Sequence, residues 1–228
     1  GALDPRRKIG WQLAEPLDIH GIGDARERAE RVAAIMAAVD LPPEVADSFP
    51  HQLSGGQAQR AVIGRALITD PEFIVCDEPV SALDVSIQAQ VLNLLQDLQE
   101  EYDLTYMFVT HDLSVVRHIS NDISVMYLGQ LVETSSCGKL FENPMHPYTK
   151  ALLSAIPSPD IHKKKERIII KGELASPVNP KPGCRFLGRC PYASEECVKL
   201  QKLEEISPNH FVACCRVNEL DKGMPEGE

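Results

Sequence analysis

The stretch FIVCDEP (73–79) constrains this chain more than any other, because an apolar run there stops on two adjacent carboxylates. Such a run suits a buried strand whose working edge is its C-terminal end. LTYMFVTHD (104–112) repeats the pattern, apolar and then polar. Between them, Ile87, Val91, Leu94, Leu95 and Leu98 recur at helical spacing across 86–101. Upstream, Asp24 followed by Glu27 has the form of a capping box. Val32, Ile35, Met36 and Val39 then predict an amphipathic helix over 25–40, ended by Pro42 and Pro43. A second helix is expected over 57–69, just after a glycine pair, and ISVMYLGQLVET (123–134) reads as two strands about a turn at Gly129. Helices alternating with apolar strands make an α/β domain with a mostly parallel sheet.

The 228 residues suffice for one core, or a core with a small appendage. With 43% hydrophobic and 25% charged residues, the composition is that of a globular chain. A net charge of −10 without a basic stripe disfavours a nucleic-acid partner, since backbone binding needs clustered Lys and Arg. No apolar run approaches the length of a membrane span, and the first residues lack the build of a signal peptide. Lysine is almost absent before residue 139, apart from Lys8, and frequent after it, where proline also becomes dense. A boundary between a core and a C-terminal extension is therefore expected in 135–160.

The polar ends of the runs carry the chemistry. In LSGGQAQR (53–60), Ser54, Gly55 and Gly56 leave unpaired backbone N–H groups at a helix start, where the dipole adds partial positive charge. Glycine lets the backbone approach an anion, and Ser54 and Gln57 can add side-chain hydrogen bonds; the same residues also suit an ordinary helix cap. Asp77 can hold Mg2+ directly or through water, and Glu78 can polarise an attacking water. A pair of solvated loop acids is the plainer alternative. SALD (81–84) follows as a turn. His111, at the end of the second apolar run, can touch a terminal phosphate, although a strand-end histidine by itself is an ordinary surface residue.

These motifs stand in one order over residues 53–111: LSGGQ, an apolar strand ending in two acids, SALD, and a strand ending in Thr-His. In that order they resemble the nucleotide-binding subunit of an ATP-binding cassette (ABC) transporter. The resemblance implies that LSGGQ is the signature, FIVCDE the Walker B strand, SALD the D-loop whose Asp84 belongs with the nucleotide-binding residues, and His111 the switch histidine. It implies that Asp77 serves magnesium and Glu78 is the catalytic base. Ser54, Gly55, Gly56 and Gln57 would bind the γ-phosphate of ATP held by another subunit. ALDPRRKIGWQLAEPLDIH (2–20), the stretch 129–157 and the segment 183–215 are similar to the corresponding parts of peptide-importer ATPases of the oligopeptide/dipeptide branch. The implied division is 1–52 for the end of the Q-loop region and the helical subdomain, 53–135 for the catalytic core part, and 136–228 for an oligopeptide-transporter-type extension.

A phosphate loop needs the pattern GxxxxGK(S/T), and the 228 residues contain none. Gly21 and Gly23 in IHGIGDA lack the lysine, and Gln12 and Gln52 do not fit the context of a Q-loop. The chain is thus expected to begin after the first part of such a core; the alternative is a protein that has lost ATP binding. Glu78 and His111 favour the first, since they serve a nucleotide held in their own subunit. On that reading the isolated chain neither holds ATP tightly nor hydrolyses it. Strands without their neighbours expose edges and apolar faces, so self-association or a rearranged core is expected.

Five of the seven cysteines crowd the last fifth of the chain. Cys184, Cys190, Cys197 and Cys214 are spaced C-x5-C-x6-C-x16-C, with Cys215 an adjacent spare. This is not the C-x2-C knuckle of most zinc sites, and the set suits zinc, an iron–sulfur cluster, buried thiols or disulfides. Some members of the resembled branch carry a 4Fe-4S cluster at these positions. The resemblance as a whole implies a peripheral ATPase subunit on the cytoplasmic face of the cell membrane that energises peptide import. Its partners would be a second ATP-binding subunit in a head-to-tail dimer, transmembrane permease subunits and, indirectly, a substrate-binding protein. A non-transport ABC ATPase, and a metal-binding or redox module with a vestigial ATPase part, are the rival readings.

Overall fold

A computed structural model describes residues 2–156, 167–173, 176, 178–180 and 182–222. The chain divides into two compact units, Gly1–His111 and Asp112–Glu228. The compositional shift near residue 139 falls inside the second.

The first unit holds α1 (Ile9–Ile19), α2 (Ala25–Ala38), α3 (Gly55–Leu67), β1 (Phe73–Asp77), α4 (Val85–Tyr102) and β2 (Thr105–Val109). The sequence pattern did not reveal α1, which carries Pro16 in its interior and buries Ile9, Leu13 and Leu17. Its buried Gln12 donates to the carbonyls of Asp4 and Arg7 and accepts from the Asp4 N–H, closing the chain ahead of the helix. At α2 the Asp24–Glu27 capping box forms as expected. Helix α3 starts two residues before the position expected. Ser54 is its N-cap, so both glycines lie inside the first turn. Helices α1, α2 and α3 pack on one another, and α3 also meets α4, which turns Val91, Leu92, Leu94, Leu95 and Leu98 inward.

β1 and β2 pair in parallel, Phe73 opposite Thr105 through Asp77 opposite Val109. The expectation of buried strands is half right. Cys76 is buried, and that burial pushes its thiol up to about 11. The opposite face is open, with Phe73 52%, Val75 56%, Met107 51% and Val109 44% exposed. Side chains alternate across a strand, and among the described residues this parallel sheet has two strands and one apolar face without a cover.

The second unit contains α5 (Leu113–Ile119), β3 (Asp122–Tyr127), β4 (Gln130–Ser136), α6 (Cys137–Glu142), α7 (Pro147–Ser154), β5 (Glu204–Ser207) and β6 (His210–Val212). The expected hairpin is present. Leu128 (φ 45°) and Gly129 (φ 76°) make its turn, the paired positive φ values of the tight loops that match strand twist. The sheet runs β3-β4-β6-β5, entirely antiparallel. The sequence pattern showed only its first hairpin, because β5 and β6 are four and three residues long. Ile123, Val125, Tyr127, Val132, Leu140 and Phe186 form the core. Tyr127 and Tyr148 pack on the Phe186 ring at 5.3 and 5.5 Å.

A polar knot lies inside this unit. Glu133 of β4 is fully buried and lies 2.7 Å from Nε2 of His210 on β6. Its carboxylate also accepts the N–H groups of Met145 and His146, which fixes the entry to α7. The His146 ring caps α7, its Nδ1 accepting the Tyr148 N–H. Burial pushes His146 down to about 4 from its ordinary 6.5, so the ring is neutral in the folded chain. Between these two values the unfolded chain takes up a proton that the folded chain refuses, so stability falls as pH drops through that window and levels off below it. The full effect is about 3 kcal/mol. In urea unfolding at pH 7 and pH 4.5, His146→Asn, which keeps a capping side chain, should lose about 2 kcal/mol less on acidification than the parent. Equal losses would show that His146 does not carry the titration.

Candidate functional site

The β1–β2 ladder runs one bond past the strand, because the Glu78 N–H donates to the Val109 carbonyl at 2.9 Å. There the chain turns sharply: Glu78 has φ 49°, a left-handed conformation that costs a non-glycine residue about 1 kcal/mol. Its carbonyl accepts from the Ser81 N–H at 3.3 Å and from the Ser81 hydroxyl at 3.1 Å. With its peptide held on both sides, the Glu78 carboxylate sits 2.7 Å from Nδ1 of His111. The pair is open to solvent, Glu78 36% and His111 80% exposed. A carboxylate bonded to an imidazole at the C-terminal ends of adjacent parallel strands can polarise a water and exchange its proton. Asp77, exposed at the last position of β1, offers the hard oxygen donors that magnesium prefers.

A second feature lies at the start of α3. Ser54 Oγ accepts the Gln57 N–H at 3.3 Å, and Gln57 Oε1 accepts the Ser54 N–H at 3.0 Å. Both side chains therefore cap the helix here, a pairing the S-x-x-Q spacing itself signals. The amides of Gly55 and Gly56 occupy helix positions with no intrahelical acceptor. The glycines are also needed for packing. A Cβ on Gly55 would stand 3.2 Å from Leu83, and one on Gly56 2.9 Å from Cγ2 of Ile87. The helix start thus rests on the turn 81–84 and the first residues of α4. That turn is held through Val80 and Gln88, which the sequence did not single out: Gln88 Nε2 donates to the Val80 carbonyl at 2.9 Å, and Leu83 N–H to the same atom at 3.2 Å. Asp84 is the N-cap residue of α4, and its carbonyl accepts from Gln88 N–H at 2.8 Å.

In the second unit, the Cys184 N–H donates to the Cys197 carbonyl at 2.9 Å. Gly183 (φ 102°) permits this approach, since a Cβ there would meet the Cys197 and Val198 carbonyl oxygens at 2.7 and 2.5 Å. Burial raises the Cys184 thiol and pushes those of Cys190 and Cys214 up to about 11. Among the described residues, no group of three or more His, Cys, Asp or Glu side chains is arranged to hold a metal ion. The set Cys184, Cys190, Cys197 and Cys214, expected as a metal or 4Fe-4S site, therefore gains no support from the fold. Cys197 Sγ instead touches Cys215 Sγ, at 3.8 Å.

Comparison with known proteins shows the family. A family described as "ABC transporter" matches residues 3–81, and one described as "Oligopeptide/dipeptide transporter, C-terminal region" matches residues 132–197. The oligopeptide transport ATP-binding protein AppF of Bacillus subtilis is 51% identical over 93% of this chain and 66% of its own length. A putative peptide import ATP-binding protein of Brucella ovis is 51% identical over 95% of the chain and 69% of its own length. OppF of Escherichia coli, another oligopeptide transport ATP-binding protein, is 51% identical over 96% and 66%. The chain spans about two thirds of the length of these relatives. Among solved structures, the ATP-binding cassette MJ0796, a dimer in a post-hydrolysis state bound to ADP and Pi, matches with TM-score 0.52 and 32% identity over 59% of each chain. No described helix is long and apolar enough to cross a membrane.

Gly56→Ala tests the packing at the start of α3. Alanine would gain about 1 kcal/mol in helix propensity, but overpacking against Ile87 costs about 1–3 kcal/mol, so the variant should be less stable. In an Ile87→Ala background the obstacle is gone, and the same substitution should become neutral or stabilising. Thermal unfolding of the four proteins reads this directly; additive effects would show that the close approach is not what selects glycine.

Proposed function

The chain belongs to the ATP-binding subunits of oligopeptide/dipeptide ABC transporters, and on that premise we propose that it supplies the hydrolytic edge and the signature half of a composite ATP site that energises peptide import. The observation that carries this reading is the 2.7 Å contact between Glu78 and His111 at the ends of β1 and β2. Glu78 polarises the attacking water, and His111 holds the carboxylate in place and faces the terminal phosphate. Asp77 is the residue that would hold Mg2+, whose charge offsets that of the phosphates. Ser54, Gly55, Gly56 and Gln57 present the α3 N-terminus to ATP held by a second ATP-binding subunit, arranged head to tail. Asp84 and its turn, on which those glycines rest, carry contact between the subunits.

The similarity to oligopeptide transport and peptide import ATP-binding proteins supports peptides as the transported class. Residues 9–52, the helical part of the first unit, would face transmembrane permease subunits at the cytoplasmic side of a membrane. A substrate-binding protein would act on the same assembly from the other side. Residues 53–135 would be the catalytic part and 136–228 the extension characteristic of this branch. The reading requires a phosphate loop, a pattern the 228 residues do not contain.

In a chain that joins these residues to a GxxxxGK(S/T) loop and is assembled with its permease, Glu78→Gln should lower ATP hydrolysis by about 10²–10⁴-fold and leave ATP binding in place. His111→Ala should lower hydrolysis by the same route. Turnover by the Glu78→Gln protein within about threefold of the parent would remove Glu78 from the role of base.

A further inference from the structure

Asp84 stands at the N-cap of α4, where an aspartate ordinarily closes the helix with its own carboxylate. Here the Asp84 side chain makes no capping bond. Gln88, one turn into the helix, ties the turn instead. Its N–H donates to the Asp84 carbonyl at 2.8 Å, and its side-chain amide reaches back to the Val80 carbonyl at 2.9 Å. One residue thus spans the turn 80–84 from end to end. The Val80 side chain, 3% exposed, roots the near end in the interior. The turn held in this way meets both chemical features of the first unit. Ser81 donates its N–H and its hydroxyl to the Glu78 carbonyl at 3.3 and 3.1 Å. Leu83 and Ile87 are the side chains on which Gly55 and Gly56 rest, each leaving no room for a Cβ. Leu83 and Ile87 are themselves only half-buried, so the place of the turn depends on its hydrogen bonds as well as on packing.

We infer that Gln88 is a positioning residue for the proposed ATP site. It seats the turn 80–84 against the start of α3, which keeps the Gly55 and Gly56 amides aligned for an incoming phosphate. It also leaves the Asp84 carboxylate uncommitted to its own helix and available to a second subunit. The inference rests on the reading of the α3 start as half of a site for ATP held by another subunit. Gln88 touches no nucleotide; it acts through the Val80 carbonyl. A side-chain amide suits the task, being an uncharged donor with the reach of one helical turn. Glutamate would set acceptor oxygens against that carbonyl and a second negative charge one turn from Asp84, and methionine would fill the same length and donate nothing.

The test uses the whole 228-residue chain. Gln88→Met keeps length and helix propensity and removes the donor, and Gln90→Met, at an exposed position of the same helix, is the control. Amide hydrogen exchange without nucleotide reads the brace itself. In Gln88→Met, exchange at Ser81 and Leu83 should quicken by about 2–10-fold, while the unfolding temperature falls by no more than about 4 °C. Association with an ABC subunit that has an intact phosphate loop, measured in ATP and Mg2+, should weaken by about 3–10-fold in Gln88→Met and hold at the parent's value in Gln90→Met. Unchanged exchange would overturn the brace whatever the nucleotide does. Quicker exchange with undiminished association, or an equal loss in Gln90→Met, would overturn the positioning role. Failure of the parent chain itself to respond to ATP would remove the half-site and with it the role assigned to Gln88, while quicker exchange would still show the turn to be braced.

Discussion

The parallel pairing of β1 with β2 is the interaction on which the first unit's chemistry depends. Register alone brings Asp77 opposite Val109, and the ladder's last bond, Glu78 N–H to Val109 carbonyl, sets where the strand stops. The left-handed turn at Glu78 and the two bonds from Ser81 then fix the carboxylate. His111 comes from two residues past the end of β2, so the 2.7 Å contact is a consequence of strand register rather than of a long-range search by flexible side chains. A slip of one residue would turn every side chain of the strand to the opposite face. The geometry of the pair is for that reason as secure as the ladder beneath it.

The start of α3 is coupled to this edge through packing. Helix α3 begins against the turn that follows Glu78, with Gly55 next to Leu83 and Gly56 next to Ile87. Ser54 and Gln57 satisfy each other's amides, which orders the helix start before any ligand is present. An anion arriving there meets glycine amides already aligned with the helix dipole. Pre-arranged donors of this kind need little reorganisation when charge is brought to them. The structure shows these residues as a helix cap, and in the proposed assembly the same residues would also be the phosphate contact, so the two readings of LSGGQ are compatible.

Much of this was legible in the sequence, for physical reasons. The apolar run ending in Asp77 and Glu78, the helical period of 86–101 and the Asp24–Glu27 box all depend on local pattern, and all three elements form. What escaped depends on distant contacts. Helix α1 carries Pro16 in its interior, where the sequence pattern disfavours a helix, and is recognised only through its buried Gln12 and its packing on α3. β5 and β6 are too short to show alternation, and β6 is held in place by pairing with β4 and by the Glu133–His210 contact across 77 residues. An apolar strand reads the same whether one face or both are covered, and the open face of β1 and β2 agrees with the expectation that strands without their neighbours expose apolar faces. The cysteine spacing, likewise, states how many thiols there are but not which two touch.

The account makes the start of α3 half of an ATP site completed by another subunit. The direct measurement is sedimentation of this chain mixed with an ABC subunit that has an intact phosphate loop and has Gln in place of its strand-end Glu, with and without ATP and Mg2+. The account predicts a heterodimer that forms only with ATP. Association of equal strength without nucleotide, or none with it, would contradict the central claim.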